Sequence, residues 1–454
     1  MTTTFAPGSS ALAAAGGQPA DVSTPAVVLK FDPNVMHHGG LGAIRSLGRM
    51  GVPVYAVQES SWSPAAHSRY LRGQVLWQPA GMAADRISAG LLRLAELIGR
   101  PSVLIPTDDA ASIFLAEHAD QLHGRFLFAA PPPGLPRQVA GKQSLHRLCA
   151  ELDFPSPRSC QPASELQALR AAADFGYPVV AKLASPWQSS ARQLSTQIIG
   201  TAEDLRTAWR AAQDSQAGLL LQEYIPAGPG SDWFFHGYAD AASRCRPACT
   251  GLKDRSYPAH AGLTSYGRCV PNRQLRDQAT GLLARLRYRG IADLDLRLDS
   301  RDGQYKLLDF NPRLGAQFRL FTGPGGLDVV RAAYLDLTGQ PVTGADPVPG
   351  RSFMVESYDP LTAISYWRRG QLGLRDWLAA ARGADETAWF ARDDLRPFEL
   401  MCVRMGWRML SRPIARRRGA PERGRAADIN RPAGIRLRRG RAARPPGTPA
   451  TQDQ

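Results

Sequence analysis

The sequence predicts an α/β region at its N-terminus, an α+β region after it and a helical C-terminal cap. Three observations carry that expectation. Residues 26–58 read as strand, helix and strand, with a short glycine-rich turn after the first strand, which is how a parallel sheet begins. Residues 233–310 read mostly as strands, with one helix at about 271–288, and end in a hairpin. Residues 346–410, rich in Trp and Arg, read as helices.

The elements follow in order. Residues 1–25 lack the positive start of a signal peptide and are expected to form a flexible leader. AVVLKF (26–31) is a continuous apolar strand, and 43–50 has apolar residues at 43, 44, 47 and 50, the spacing of a helix face. Gly51 closes that helix and VPVYAVQ (52–58) is the next strand. The turn between them has Gly40 and Gly42, but Arg45 stands where a dinucleotide fingerprint needs its third glycine. His37 and His38 in this turn read as exposed loop histidines. A further strand, 103–106, delivers Thr107, Asp108 and Asp109 to its C-terminal end, the ligand edge of a parallel sheet, with a helix N-cap as the role of the Asp pair. AAPPPGLPR (129–137) marks a boundary. Helices at about 142–152 and 163–175, the strand PVVAKL (178–183), a loop, a helix at about 202–213 and the strand LLLQEY (219–224) come next. The segment 327–338 is a helix with Leu327, Val330, Ala333, Tyr334 and Leu337 on one face.

Chemistry concentrates in three places. In the hairpin ADLDLRLD…LLDFNPR, strand alternation puts Asp293, Asp295 and Arg297 on one face, and Asp309 and Asn311 on one face of the partner. Two carboxylates facing an amide carbonyl across a ladder form the all-oxygen set that Mg2+ demands. Arg313, two residues past Asn311, can grip a phosphate or carboxylate as a fork. Lys182 lies in an apolar strand, where a bare ammonium is costly, so it calls for an anionic partner. QEYIP (222–226) leaves an apolar strand and breaks at proline, exposing backbone groups beside an apolar wall, which suits an adenine edge.

Together these pieces, in the order PVVAK, LLLQEYIP, KDRSYP, GIADLDLRLD and LLDFNPR, resemble the ATP-grasp superfamily, and within it the carboxylate–amine ligases, across residues 26–345. The resemblance implies a pre-ATP-grasp domain at 26–130, an ATP-grasp domain at 131–345 with subdomains at about 142–225 and 226–345, and the helical cap at 346–410. Lys142 and Lys182 match the two phosphate-binding lysines. Gln222, with the backbone of Glu223 and Ile225, matches the adenine hinge, and Asp232 the holder of the ribose hydroxyls. Asp295, Asp309 and Asn311 match the metal ligands, and Arg313 and Arg255 the basic residues near the transferring phosphate and the carboxylate. The implied cofactors are ATP and Mg2+, or Mn2+ in its place, and the implied partners are a small carboxylate and an amine. Ligases of this fold are often homodimers. Three positions depart from the pattern: aspartate stands at 309 where glutamate is usual, Gly141 precedes Lys142 where Asp is frequent, and the loop 185–196 has no glycine.

Composition excludes other classes. With 44% apolar, 21% charged and 8% aromatic residues, the chain of 454 suits a globular protein with a sizeable core. No apolar run reaches the length of a membrane helix. The six cysteines have no zinc spacing and are expected to be reduced thiols of a cytoplasmic protein. Of the net charge of +15, eleven units lie in 404–454, with fourteen Arg against three acids. The tail 411–454 therefore reads as a disordered Arg-rich appendage able to make weak, salt-dependent contact with polyanions. The expected function is an ATP-dependent ligase working through an acyl phosphate. The alternatives are a non-amine acceptor, or a regulatory protein with a degenerate nucleotide site.

Overall fold

The computed structural model describes residues 20–183, 196–214, 218–259, 262–344, 346–417 and 437–439. The leader before residue 20, the loop 185–195 and the tail at 418–436 and 440–454 lie outside the described residues.

The first sheet is parallel through Leu71–Leu76, Val54–Gln58, Ala26–Leu29, Ser102–Pro106 and Phe126–Leu127, in that spatial order. The order reverses beside Ala26–Leu29, and this is where parallel sheets take ligands. The strand Leu71–Leu76 and the helix Ala84–Ile98, both amphipathic, add to the elements expected from the sequence. The helix expected at 43–50 already begins at His38, because the His37 side chain caps it by accepting from Gly40 N. His38 is buried against Phe353 and Trp389, and burial pushes its pKa down to about 4. The two histidines are therefore not exposed loop residues; one is a cap and the other a neutral packing group. Asp108 caps the helix Asp109–Glu117 through Ala111 N and also accepts from Phe31 N and Asp32 N, tying down the ligand edge.

The second sheet has seven strands in the order Tyr305–Asn311, Gly290–Leu298, Asp232–Ala239, Cys245–Tyr257, Leu263–Cys269, Ser352–Met354 and Glu386–Thr387. Its alternating residues feed two cores. Phe234 and Tyr238 join a cluster that runs on into the parallel sheet and the C-terminal cap (Leu41, Val54, Phe318, Trp389), while Phe235, Leu294 and Leu296 pack with Leu145, Leu148 and the helix Arg273–Arg285. The third sheet is small: Ser159–Cys160, Leu219–Glu223, Val179–Leu183 and Thr196–Ile199, backed by the helices Glu165–Phe175 and Ala202–Asp214.

The C-terminal region is helical at Asp359–Arg368, Leu374–Arg382 and Arg396–Arg417, and it also adds the two short strands to the large sheet. It is fastened to the parallel-sheet domain by Arg45, only 2% exposed, whose guanidinium holds Asp394 at 3.0 Å and the Trp389 carbonyl at 2.7 Å. Two expectations of disorder meet ordered chain. Asp21 exchanges backbone bonds with the Gln340 amide, and Leu437–Arg439 pairs antiparallel with Leu71–Leu76. An edge strand offers a row of open N–H and C=O groups, and a returning segment satisfies them.

Candidate active site

The small and large sheets face each other across an open cleft of about 720 Å³, counted out to its solvent mouth. On its floor the hairpin pairs Asp295 directly with Asp309 and Asp293 with Asn311, and a bulge follows Asp295. Lys142, at the first position of the helix Lys142–Glu151, meets Asp309 in a close ion pair, and Lys182 Nζ approaches the same carboxylate at 3.5 Å and the Leu308 carbonyl at 3.3 Å. Burial would push the Asp309 carboxyl up, yet the Lys142 and Lys182 ammoniums pull it well below the usual carboxylate range. Burial pushes Lys182 below its usual value, against the pull of Asp309. Lys182 thus has the anionic partner its apolar strand calls for.

Lys253, in the KDRSYP segment, has no role in the pattern read from the sequence, and it reaches Asp295 at 3.0 Å. Burial opposes its charge, but Asp295 and Asp232 outweigh burial and raise its pKa. Asp295 itself is raised, first by burial and then by Asp293 and Asp309, with Lys253 pulling the other way. Among the described residues no three acidic, histidine or cysteine side chains close on a common point. That donor set still fits Mg2+, which is ordinarily held by one or two carboxylates and completed by waters and phosphate oxygens. A half-buried carboxylate crowded by two others is also one that a divalent cation would relieve.

Asp293 joins the cleft to the parallel sheet. It accepts from Arg313 NH1 at 2.9 Å and Asn311 Nδ2 at 3.3 Å, and stands 3.2 Å from the Nε2 of buried His236. Arg313 also faces Asp109 at 3.5 Å, at the end of the parallel strand Ser102–Pro106. The ligand edge of the first domain and the Asp293 end of the hairpin therefore meet at one guanidinium. Gly315 makes this possible: a Cβ there would overlap His236 Cε1 and come within 2.7 Å of Asp293 Cγ. Gly315→Ala should lower the thermal midpoint and cut any ATP turnover at least about tenfold, since overpacking a closed site costs about 1–3 kcal/mol; unchanged melting and turnover would contradict this packing.

The predicted hinge is only partly free. The Gln222 amide is 2% exposed and bound to His146 at 2.6 Å, the Glu223 N–H donates to the Arg158 carbonyl, and the Ile225 carbonyl accepts from Arg297 NH1 at 3.0 Å. Buried polar groups find internal partners, yet Gln222, Glu223, Tyr224 and Ile225 all line the cleft. Asp232 lines the cleft as expected for a hydroxyl-binding group, and Arg297 Nε lies 2.5 Å from its carboxylate.

Arg255 is a correction. Its guanidinium makes a bidentate pair with fully buried Asp359 of the C-terminal cap at 3.0 Å and lies over the Tyr266 ring at 4.2 Å. Two residues apart, Lys253 and Arg255 would share a face of a regular strand. A bulge at 253–255 turns them apart, one into the cleft and one into the cap interface.

No family model matches the chain. A D-aspartate ligase of Enterococcus faecium is 26% identical over 246 residues, covering 50% of this chain and 57% of that ligase, so the match spans little more than half of the relative's length. Among solved structures, N5-carboxyaminoimidazole synthetase of Staphylococcus aureus superposes with a TM-score of 0.54 at 11% identity, over 72% of this chain and 80% of that one. The biotin carboxylase domain of 2-oxoglutarate carboxylase from Hydrogenobacter thermophilus gives 0.52 at 14% identity, over 72% and 73%. The chain has the ATP-grasp fold.

Proposed function

We propose that the chain is an ATP-dependent ligase that joins a carboxylate to an amine through an acyl phosphate, releasing ADP and phosphate. The observation that carries this reading is Asp295 set opposite Asp309 on the floor of a cleft rimmed by Lys142, Lys182 and Lys253. The match to a D-aspartate ligase supports an amide-forming reaction, with an amine as acceptor, over other acceptors.

The chemistry asks little of covalent catalysis. A carboxylate is a poor acyl donor because its leaving group would be oxide, and transfer of a γ-phosphoryl group supplies a better one. Asp295, Asp309 and Asn311 would hold Mg2+, which neutralises phosphate charge when bound. Lys142 and Lys182, now spent on Asp309, are placed to turn to phosphate oxygens, which offer the same negative charge. The backbone of Glu223 and Ile225, at the rim of the cleft, faces the base, and Asp232 accepts from ribose hydroxyls. Arg313, between Asp293 and Asp109, orients the carboxylate at the meeting of the cleft and the parallel sheet. Closure of the small sheet over the cleft keeps water from the acyl phosphate.

The test is ADP release from Mg-ATP with pooled carboxylates and pooled amines, amino acids included. Release should need both pools and stop when a chelator removes divalent cations. Release with bicarbonate or a thiol in place of the amines would assign another acceptor. Failure to bind ATP at all would leave a regulatory protein with a relic site.

A further inference from the structure

The cleft makes no use of the C-terminal helix Arg396–Arg417, and this helix has two unlike sides. Met401 is 3% exposed and belongs to the core that the cap shares with the first domain. One turn apart on another face, Val403 is 67% exposed and Trp407 72% exposed. Trp62, 68% exposed, adjoins them, since Arg404 NH1 donates to its carbonyl at 3.2 Å. In sequence the apolar spacing continues with Leu410 and Ile414, while arginine recurs at 404, 408, 412 and 416. In the sequence these two spacings are those of an apolar helix stripe and of a basic arc beside it. The chain then continues into the Arg-rich tail.

We propose that this helix face, with Trp62, docks the protein on the surface of an anionic phospholipid bilayer, lying in the interface plane without crossing it. Charge selects the partner. The segment 404–454 carries fourteen Arg and three acids, so a second copy would be repelled by its twin, whereas anionic headgroups are complementary. The apolar residues select further. A duplex polynucleotide hides its base faces and offers its phosphates to the arginines, so it gives no reason to keep Val403, Trp407 and Trp62 in water, whereas tryptophan is at home at headgroup depth. No helix among the described residues is long and apolar enough to span, so attachment is peripheral. Two weak signals, an apolar stripe and a basic patch, together give stable but reversible anchoring.

The experiment is sedimentation of the full chain with vesicles of phosphatidylcholine, alone or mixed with phosphatidylglycerol. Binding should require phosphatidylglycerol and weaken with salt. Arg408→Gln and Arg412→Gln should each lower partitioning about fivefold. The variant Trp62→Ser, Val403→Ser and Trp407→Ser, which keeps every charge, should lose at least about tenfold. These side chains are already in water, so the triple variant should melt as wild type does, and tryptophan emission of the wild type should shift to the blue on binding. No binding to the mixed vesicles, undiminished binding by the triple variant, or capture of duplex DNA in place of vesicles would overturn the proposal.

Discussion

Asp309→Asn will abolish ADP release and loosen the cleft at the same time. Asparagine keeps the shape but removes the charge that faces Asp295 and that holds Lys142 and Lys182. On the reading proposed above, in which Asp309 holds Mg2+, its loss should cost more than the roughly 10–100-fold seen when only a supporting partner is removed. The free protein also suffers, because Lys182 is 6% exposed and loses its carboxylate. A fully buried broken pair costs about 3–5 kcal/mol; about 2 kcal/mol is expected here, since Asp309 stays partly open to cleft water. The pH dependence follows in sign. Asp309 has its pKa depressed in the folded chain, so its pairing stabilises the protein above the ordinary carboxylate value of about 3.9 and is lost as pH falls toward the depressed one. Urea midpoints near neutrality and at about pH 3 should therefore differ less in Asp309→Asn than in wild type. A variant as stable as wild type at neutral pH, or one that still releases ADP, would remove Asp309 from both roles.

The second large effect lies outside the cleft. Asp359 is fully buried and accepts from Arg255 Nε and NH2 at 3.0 Å, Ser265 Oγ at 2.9 Å and Trp377 Nε1 at 2.9 Å. Asp359→Ala strands the Arg255 guanidinium in the interface and should cost about 3–5 kcal/mol, read as a drop in thermal midpoint. Replacing both partners with apolar groups of similar size, Arg255→Met with Asp359→Leu, should recover most of the loss, because an apolar pair is often as stable as a buried ion pair. That double variant also decides the role of Arg255. If it folds and turns over ATP with substrate as wild type does, Arg255 is a fastening for the cap; if it folds but its KM for the carboxylate rises, the guanidinium touches substrate.

The hairpin was the most legible part of the molecule. Strand alternation alone paired the faces bearing Asp293, Asp295, Asp309 and Asn311, and the register confirms Asp295 opposite Asp309. Lys182 could be read from one physical conflict, a charge in an apolar strand, and the structure resolves it with a carboxylate. Other features depend on contacts far apart in sequence. The bulge at 253–255 leaves no local signature, so the separate fates of Lys253 and Arg255 were hidden, and Arg255 was given a substrate role. His38 looked like a loop residue because its cover comes from Phe353 and Trp389, more than 300 positions away, and His37 because it caps the helix that it precedes. The Gln222 amide looked free because His146, its partner, sits on a helix 76 residues earlier.

The small sheet has a hydrophobic centre of its own. Ala168, Ala172, Val179, Ile199, Leu205 and Trp209 pack with one another, apart from the continuous core that unites the parallel sheet, the large sheet and the cap. What joins it to the rest across the cleft is chiefly polar: Lys182 to Leu308 and Asp309, Gln222 to His146, and Arg301 to Glu223. Polar bridges of this kind can exchange partners with little change in free energy, whereas a shared apolar core cannot be parted without exposing it to water. The molecule is therefore mechanically unequal, with one jaw clamped to everything else and the other free to swing. Work done in closing falls on the smaller piece, and any molecule held between the jaws becomes the strongest tie between them.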